Sequence, residues 1–190
     1  MRPFQPLTML AQEAVGRVLE DGALAIDATV GNGHDTLFLA DRLAPGGQVI
    51  GFDIQPRALE GTRARLEAAG LDAVATLHLC GHENMSQRVP GDWHGRVSAV
   101  MFNLGYLPGG DKGLTTSPAS TLGALGQAVS LLRTGGLVSL LVYRGHPGAR
   151  AEADAILAWL DGLGTAHRVT CHDSPGPVLY LVERLGCSAR

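Results

Sequence analysis

Asp27-Ala28-Thr29-Val30-Gly31-Asn32-Gly33-His34-Asp35-Thr36 is the stretch that decides the fold. It follows residues 23–26, an apolar run too short for a helix and closed by Asp27, which predicts a buried strand. It leads into residues 35–43, whose apolar spacing predicts a helix stopped by Pro45-Gly46-Gly47. Two glycines between a strand and a helix let the backbone turn sharply and pass close to a ligand beyond the strand's carboxyl end. Residues 48–52 then predict a second strand ending at Asp53, about twenty residues on, where an acid grips ribose hydroxyls in nucleotide-binding sheets. A plain turn with a helix cap at Asp53 would use the same residue types, but the spacing of the pair favours a ligand.

Outward from this pair the pattern repeats. Leu7, Leu10, Ala11, Ala14, Val15, Val18 and Leu19 recur at helical spacing, so a helix is expected over about residues 7–21. Pro56 suits the first turn of a helix running to Ala69-Gly70, residues 74–79 predict a third strand, and residues 81–95 carry polar loop chemistry with a helical turn. Residues 97–102 predict a fourth strand ending at Asn103, followed by a long Gly/Pro-rich loop over 105–118. A helix over 120–132 stopped by Gly135-Gly136, a strand over 137–143, a helix over 149–163 and strands over 168–171 and 178–183 complete the chain. Strands alternating with helices imply a parallel sheet, while two late strands joined by Pro175-Gly176-Pro177 must pair antiparallel. The expectation is an α/β, Rossmann-like fold: a mostly parallel seven-stranded sheet with a C-terminal antiparallel hairpin, helices on both faces, and one domain over residues 1–190.

Composition narrows the function. The chain has 190 residues, 45% hydrophobic and 17% charged, enough to bury roughly two-thirds of its unfolded surface. A net charge of -3 argues against a non-specific grip on a phosphate backbone. Of the 15 basic residues only Lys112 is lysine. Cys80, Cys171 and Cys187, odd in number and widely spaced, make no disulfide framework and fit a reducing compartment. No apolar run approaches the roughly 18 residues of a membrane span, and Gln5, Gln12 and Glu13 interrupt any signal-type apolar core. A cytoplasmic protein with no membrane partner is expected.

The glycine loop has G-x-G without the full G-x-G-x-x-G, and no Walker lysine follows. Asp27, just ahead of the glycines, would repel phosphate yet suit the ammonium and sulfonium of S-adenosylmethionine. Asn103-Leu104-Gly105-Tyr106-Leu107-Pro108, at the end of strand four, resembles the Asn-Pro-Pro-Tyr motif of amino-group methyltransferases. An amide oxygen there can accept an amine N–H, and the aromatic ring can lie against a flat base. A turn with a packed tyrosine would look the same. Asp111 can take a proton from an amine or form a solvated pair with Lys112, and His146 sits in an exposed Gly/Pro setting at the reaction edge. His78, Cys80 and His82 alternate on one side of strand three, but no fourth ligand is near, so no metal is expected. The single lysine excludes a Lys-Asp-Lys-Glu ribose methylase. The lack of a cysteine between Cys80 and Cys171 disfavours thiol-based methylation of a base carbon, and no G-x-S-x-G elbow marks a hydrolase.

The Asp27 to Thr36 stretch, Phe52-Asp53-Ile54-Gln55, His82-Glu83-Asn84-Met85, residues 101–111, Thr115-Thr116 and the stretch from Tyr143 to Gly148 occur together and in order. Over about residues 7–184 they resemble the rRNA methylase family of YtqB-like proteins, whose members are known as tRNA (mnm5s2U) methyltransferases. The resemblance implies a class I methyltransferase fold, S-adenosyl-L-methionine as cofactor, a homodimer, and the tRNA anticodon stem-loop as partner. The implied reaction methylates the aminomethyl group of 5-aminomethyl-2-thiouridine at the wobble position. An rRNA base amine, a small-molecule amine or a non-catalytic cofactor-binding role are the alternatives.

By position, the resemblance implies cofactor contacts from Asp27, Thr29, Gly31, Asn32, Gly33, Asp35 and Thr36. Asp53 and Gln55 would serve the ribose region, and His82, Glu83 and Asn84 the adenine region. Asn103 would touch both cofactor and acceptor. Tyr106 and Asp111 would face the substrate as catalytic residues, with His146 beside them. Val30, Cys80 and the asparagine-free loop over 172–177 depart from the family pattern.

Overall fold

The computed structural model of the chain describes residues 5–105, 116–145 and 148–186. Seven strands form one sheet in the order β3-β2-β1-β4-β5-β7-β6. They are β1 (Leu24–Asp27), β2 (Gln48–Asp53), β3 (Ala75–Leu79), β4 (Val97–Leu104), β5 (Leu132–Val142), β6 (His167–His172) and β7 (Val178–Arg184). The first five run parallel, and β7 inserts antiparallel between β5 and β6. The late hairpin is therefore present, with its second strand, not its first, against the parallel sheet.

Strand β4 shows why the sheet lies between two layers. Val100, Phe102 and Leu104 enter one apolar cluster, while Ala99 and Met101 enter the other. This period of two along a strand buried on both sides is the mark of a parallel sheet covered on each face. Helices α1 (Leu7–Gly16), α2 (His34–Leu43) and α3 (Pro56–Ala69) supply one layer. The other comes from α4 (Met85–Arg88), α5 (Pro118–Leu131) and α6 (Ala149–Asp161). Each fully buried Leu, Ile or Phe contributes about 1.5–3 kcal/mol of transfer free energy, so the two clusters dominate the gross stabilisation.

Two boundaries differ from the sequence expectation. Helix α1 stops at Gly16 instead of continuing to about residue 21. Val18 and Leu19 still pack on the core, but from a turn in which Arg133 Nη2 donates to the Val18 carbonyl at 2.9 Å. Apolar spacing alone could not register that a tertiary donor satisfies this carbonyl. Strand β5 begins at Leu132, five residues before the expected start, because Gly135-Gly136 is a bulge in the strand and not a helix stop. The register against β4 jumps there, from Val97 opposite Leu132 to Ala99 opposite Leu137. A Cβ on Gly136 would lie 2.9 Å from the Arg133 carbonyl oxygen within the bulge and 3.0 Å from that of Val97 across from it, so a side chain there would force the backbone to shift.

Candidate functional site

The carboxyl ends of β1, β2, β4 and β5 open into a cleft of about 1020 Å³. Typical small-molecule pockets run to roughly 1,000 Å³, so this one has room for a large ligand or for two ligands side by side. Its floor is the glycine turn after β1. Gly31 takes φ +52° and Gly33 φ +77°, a conformation open to glycine at little cost. A Cβ on Gly33 would also collide with the Thr62 side chain of α3.

Asp53 holds this turn from the end of β2. Its Oδ2 accepts the Gly31 N–H at 2.8 Å and its Oδ1 accepts the Gln55 N–H at 2.9 Å. Both bonds come from rigid backbone, so the carboxylate is fixed at the cleft wall with lone pairs left for a ligand. Phe52 and Ile54 flank it as apolar wall.

Asp27 lies beneath the floor. It is 1% exposed; its Oδ2 accepts the Thr36 hydroxyl at 2.6 Å and its Oδ1 the Thr29 N–H at 3.1 Å. Burial, then the nearby Asp35 charge, pushes its carboxyl up to about 7, against the opposing effect of those two bonds. Asp27 and Thr36 thus clamp the two ends of the glycine turn and do not line the cleft; neither do Gly33 and Asn84. The physical reason is the strand's alternation: Asp27 closes β1 with its side chain turned toward α2.

The other site residues named from the sequence that fall among the described ones line the cleft. Thr29, Gly31, Asn32, Asp35, Asp53 and Gln55 line the cleft on one side. His82, Glu83 and Asn103 line it on another. The Asn103 N–H donates to Thr29 Oγ1 at 2.7 Å, tying the end of β4 to the glycine turn. His82 is 6% exposed; its Nδ1 lies 3.2 Å from the Ala28 carbonyl oxygen and its ring stands edge-on to Phe102. Burial lowers its pKa, opposed by the Ala28 bond and by the Glu83, Glu152 and Asp53 charges. The turn carrying Glu83 and Asn84 hangs from α5: Gln127 Nε2 donates to the Glu83 carbonyl at 2.6 Å and Gln127 Oε1 accepts the Ser86 N–H at 2.7 Å. Tyr106, Asp111 and His146 lie outside the described residues.

Sequence reasoning missed several lining groups. Thr8 and Gln12 project from α1 into the cleft, and Gln12 Nε2 donates to Asp35 Oδ1 at 2.8 Å. Their i, i+4 spacing beside the apolar stripe of Ala11 and Val15 was the available signal. Ser117 and Ser120 line the cleft at the start of α5, beside Thr116, which the sequence offered only as part of the family pattern. Tyr143, at the end of β5, is a half-exposed rim residue; burial and then the Asp35 charge raise its pKa. Arg144 Nη2 meets Asp173 Oδ1 at 2.7 Å, joining the cleft rim to the β6–β7 loop. Among the described residues no group of three or more His, Cys, Asp or Glu side chains could hold a metal ion.

A family model described as "Putative rRNA methylase" matches residues 49–174. A curated relative, "tRNA (mnm(5)s(2)U34)-methyltransferase, chloroplastic" of Arabidopsis thaliana, is 40% identical over 173 residues, 86% of this chain and 62% of its own length. The chain thus spans less than two-thirds of that relative. Among solved structures, one from Clostridium thermocellum with the same rRNA-methylase description superposes with a TM-score of 0.91 at 34% identity, covering 96% of this chain and 99% of its own. A Streptococcus mutans protein solved in complex with SAH gives a TM-score of 0.85 at 32% identity, with the same 96% and 99% coverage.

Proposed function

The chain belongs to the rRNA methylase family, and from that premise we propose that it is an S-adenosylmethionine-dependent N-methyltransferase acting on tRNA. Its substrate is the 5-aminomethyl group of 2-thiouridine at the wobble position, and its product the 5-methylaminomethyl nucleoside. The observation that supports this reading is the placement of Asn103, held through its backbone N–H by Thr29 Oγ1, in the lining of the same cleft as Gly31 and Asp53. The name of the Arabidopsis relative supports the choice of nucleoside, and the SAH of the Streptococcus mutans protein supports the choice of cofactor.

The residues present fit that cofactor. Asp53 offers a fixed carboxylate to two ribose hydroxyls, between the apolar side chains of Phe52 and Ile54. Asp35 and Asp53 make the cleft wall acidic, which disfavours a pyrophosphate and suits a cationic ligand. When bound, S-adenosylmethionine supplies an electrophilic methyl group on a sulfonium.

The chain's own residues orient the acceptor. The Asn103 side-chain oxygen accepts an amine N–H and directs the nitrogen lone pair toward the methyl carbon. As the new N–C bond forms, the C–S bond breaks and its electron pair stays on sulfur. A primary alkylamine is mostly protonated near neutrality, so a neighbouring acceptor must favour its neutral form. Asp111 takes that proton, with His146 as the second acceptor. The acceptor tRNA enters as an anticodon stem-loop, and the enzyme works as a cytoplasmic homodimer.

Nucleoside mass spectrometry on tRNA from a strain lacking this gene tests the reading. Accumulated 5-aminomethyl-2-thiouridine with loss of its methylated form is the expected result. An unchanged tRNA profile overturns it in favour of another amine acceptor.

A further inference from the structure

Glu152 is a buried carboxylate that the proposed chemistry leaves unused. It is 1% exposed, in the first turn of α6, and it occupies a core position of the helical pattern with Ala149, Ile156 and Leu160. Each of its oxygens is taken by one hydroxyl: Oε2 accepts from Thr116 Oγ1 at 2.9 Å and Oε1 from Thr121 Oγ1 at 2.6 Å. Thr121 closes the first turn of α5, through its N–H to the Ser117 carbonyl at 2.9 Å. Glu152 closes the first turn of α6 in the same way, through its N–H to the Gly148 carbonyl at 3.1 Å. Two helix N-termini therefore converge on one carboxylate, and their partial positive charge offsets part of the cost of burying it.

The two hydroxyls differ in what they serve. Thr121 is fully buried within the core. Thr116 lines the cleft, two residues ahead of the first residue of α5. The Glu152 charge also reaches His82, on the neighbouring cleft wall. A hydrophobic residue at 152 would pack these helices with no desolvation cost, so the carboxylate's distinctive effect is to hold two hydroxyls, and of these it is Thr116 that lines the cleft.

We infer that Glu152 is a positioning residue for the acceptor side of the cleft, acting through Thr116. It holds Thr116, just ahead of α5, in a set place on the cleft wall against which the acceptor nucleoside rests. This rests on the tRNA methyltransferase reading.

The test compares Glu152→Leu, Glu152→Gln, Thr116→Val and Thr121→Val with the unaltered full chain. Measured quantities are kcat/KM for tRNA carrying 5-aminomethyl-2-thiouridine, SAH affinity by calorimetry, and Tm. Glu152→Leu and Thr116→Val are expected to lower kcat/KM about tenfold, the worth of one hydrogen bond to a charged group, with SAH affinity unchanged. Glu152→Gln recovers the rate, since its amide oxygen can accept from one hydroxyl while its amide N–H donates to the other. Thr121→Val lowers Tm at least as much as Thr116→Val but keeps the rate within about twofold. Equal rate losses in the two threonine variants, or a parallel loss of SAH affinity, overturn the inference, and this pair decides it even where Glu152→Leu does not fold. Full rates in Thr116→Val overturn it alone, leaving the methyltransferase reading intact. An unaltered chain that binds SAH but transfers no methyl to this tRNA overturns both.

Discussion

The Gly31 N–H and the Asp53 carboxylate meet at 2.8 Å, so the glycine turn after β1 and the acid at the end of β2 form one rigid unit. Asp53 has two duties: it holds the turn, and it presents lone pairs to a ligand. Asp53→Ala removes both and leaves two backbone N–H groups without their partner. We expect SAH affinity to fall by at least about tenfold, since a charge-assisted hydrogen bond is worth roughly 1.5–3 kcal/mol. Calorimetry showing normal SAH binding by a folded Asp53→Ala variant would falsify the ribose assignment.

Asn103 stands on the other side of the cleft, and its variant should behave in the opposite way. Its backbone N–H, bonded to Thr29 Oγ1, keeps that bond in Asn103→Ala, so the cofactor side is undisturbed. Only the side-chain amide, which we propose orients the amine, is lost. Turnover is expected to fall by about a hundredfold, the usual cost of misplacing a reacting group, while SAH affinity stays within about twofold. Single-turnover methyl transfer beside equilibrium binding separates the two effects.

Asp27 links stability to pH. Its carboxyl is raised from 3.8 to about 7 by burial and by Asp35, with Asp53 adding to the rise and Thr36 and Thr29 opposing it. The folded state thus keeps a proton that the unfolded chain releases between those values. Its contribution to stability is full below the unfolded pKa and is lost as pH rises through about 7. An asparagine in its place would have no proton to release and can keep both bonds, because the Thr36 hydroxyl can accept as well as donate. The Tm of Asp27→Asn relative to the unaltered chain should therefore rise from about pH 5 to about pH 8. A Tm difference that is flat or falling with pH would show that the Asp27 proton is not linked to folding.

What the sequence revealed and what it concealed follow from the range of the interactions. The β1–glycine–Asp53 relation was legible because a short apolar run, two glycines and an acid at a set distance are local patterns. The exchange of β6 and β7 in the sheet order was not, because a short loop fixes antiparallel pairing but says nothing about which strand meets β5. Asp27 was legible as important but not in its role: spacing placed it near the ligand, while the side-chain direction at the end of β1 turns it onto Thr36. Glu152 left a readable trace, an acid at an apolar position of α6, yet its partners Thr116 and Thr121 are more than thirty residues away. Pairings of that kind depend on how α5 and α6 pack, which no window along the chain contains.

Net charge and local charge make different demands on tRNA binding. The chain carries a net charge of -3, so the tRNA binding proposed above cannot rest on a broad cationic field. Arg144, at the cleft rim, is already paired with Asp173 at 2.7 Å, and Arg150 lies 4.0 Å from Asp154. A phosphate that reaches Arg144 must compete with Asp173, and both side chains are largely exposed, so the exchange involves little desolvation. Each phosphate contact contributes a slope of about -0.7 to -0.9 in log K against log salt. With both of these arginines already facing an acid, the slope for an anticodon stem-loop should be shallow, about -1 to -3. Asp173→Ala should tighten binding at low salt by releasing Arg144, and Arg144→Ala should weaken it and reduce the slope by about 1. A titration series by fluorescence anisotropy measures all three, and a slope unaffected by either substitution would place the RNA away from this rim.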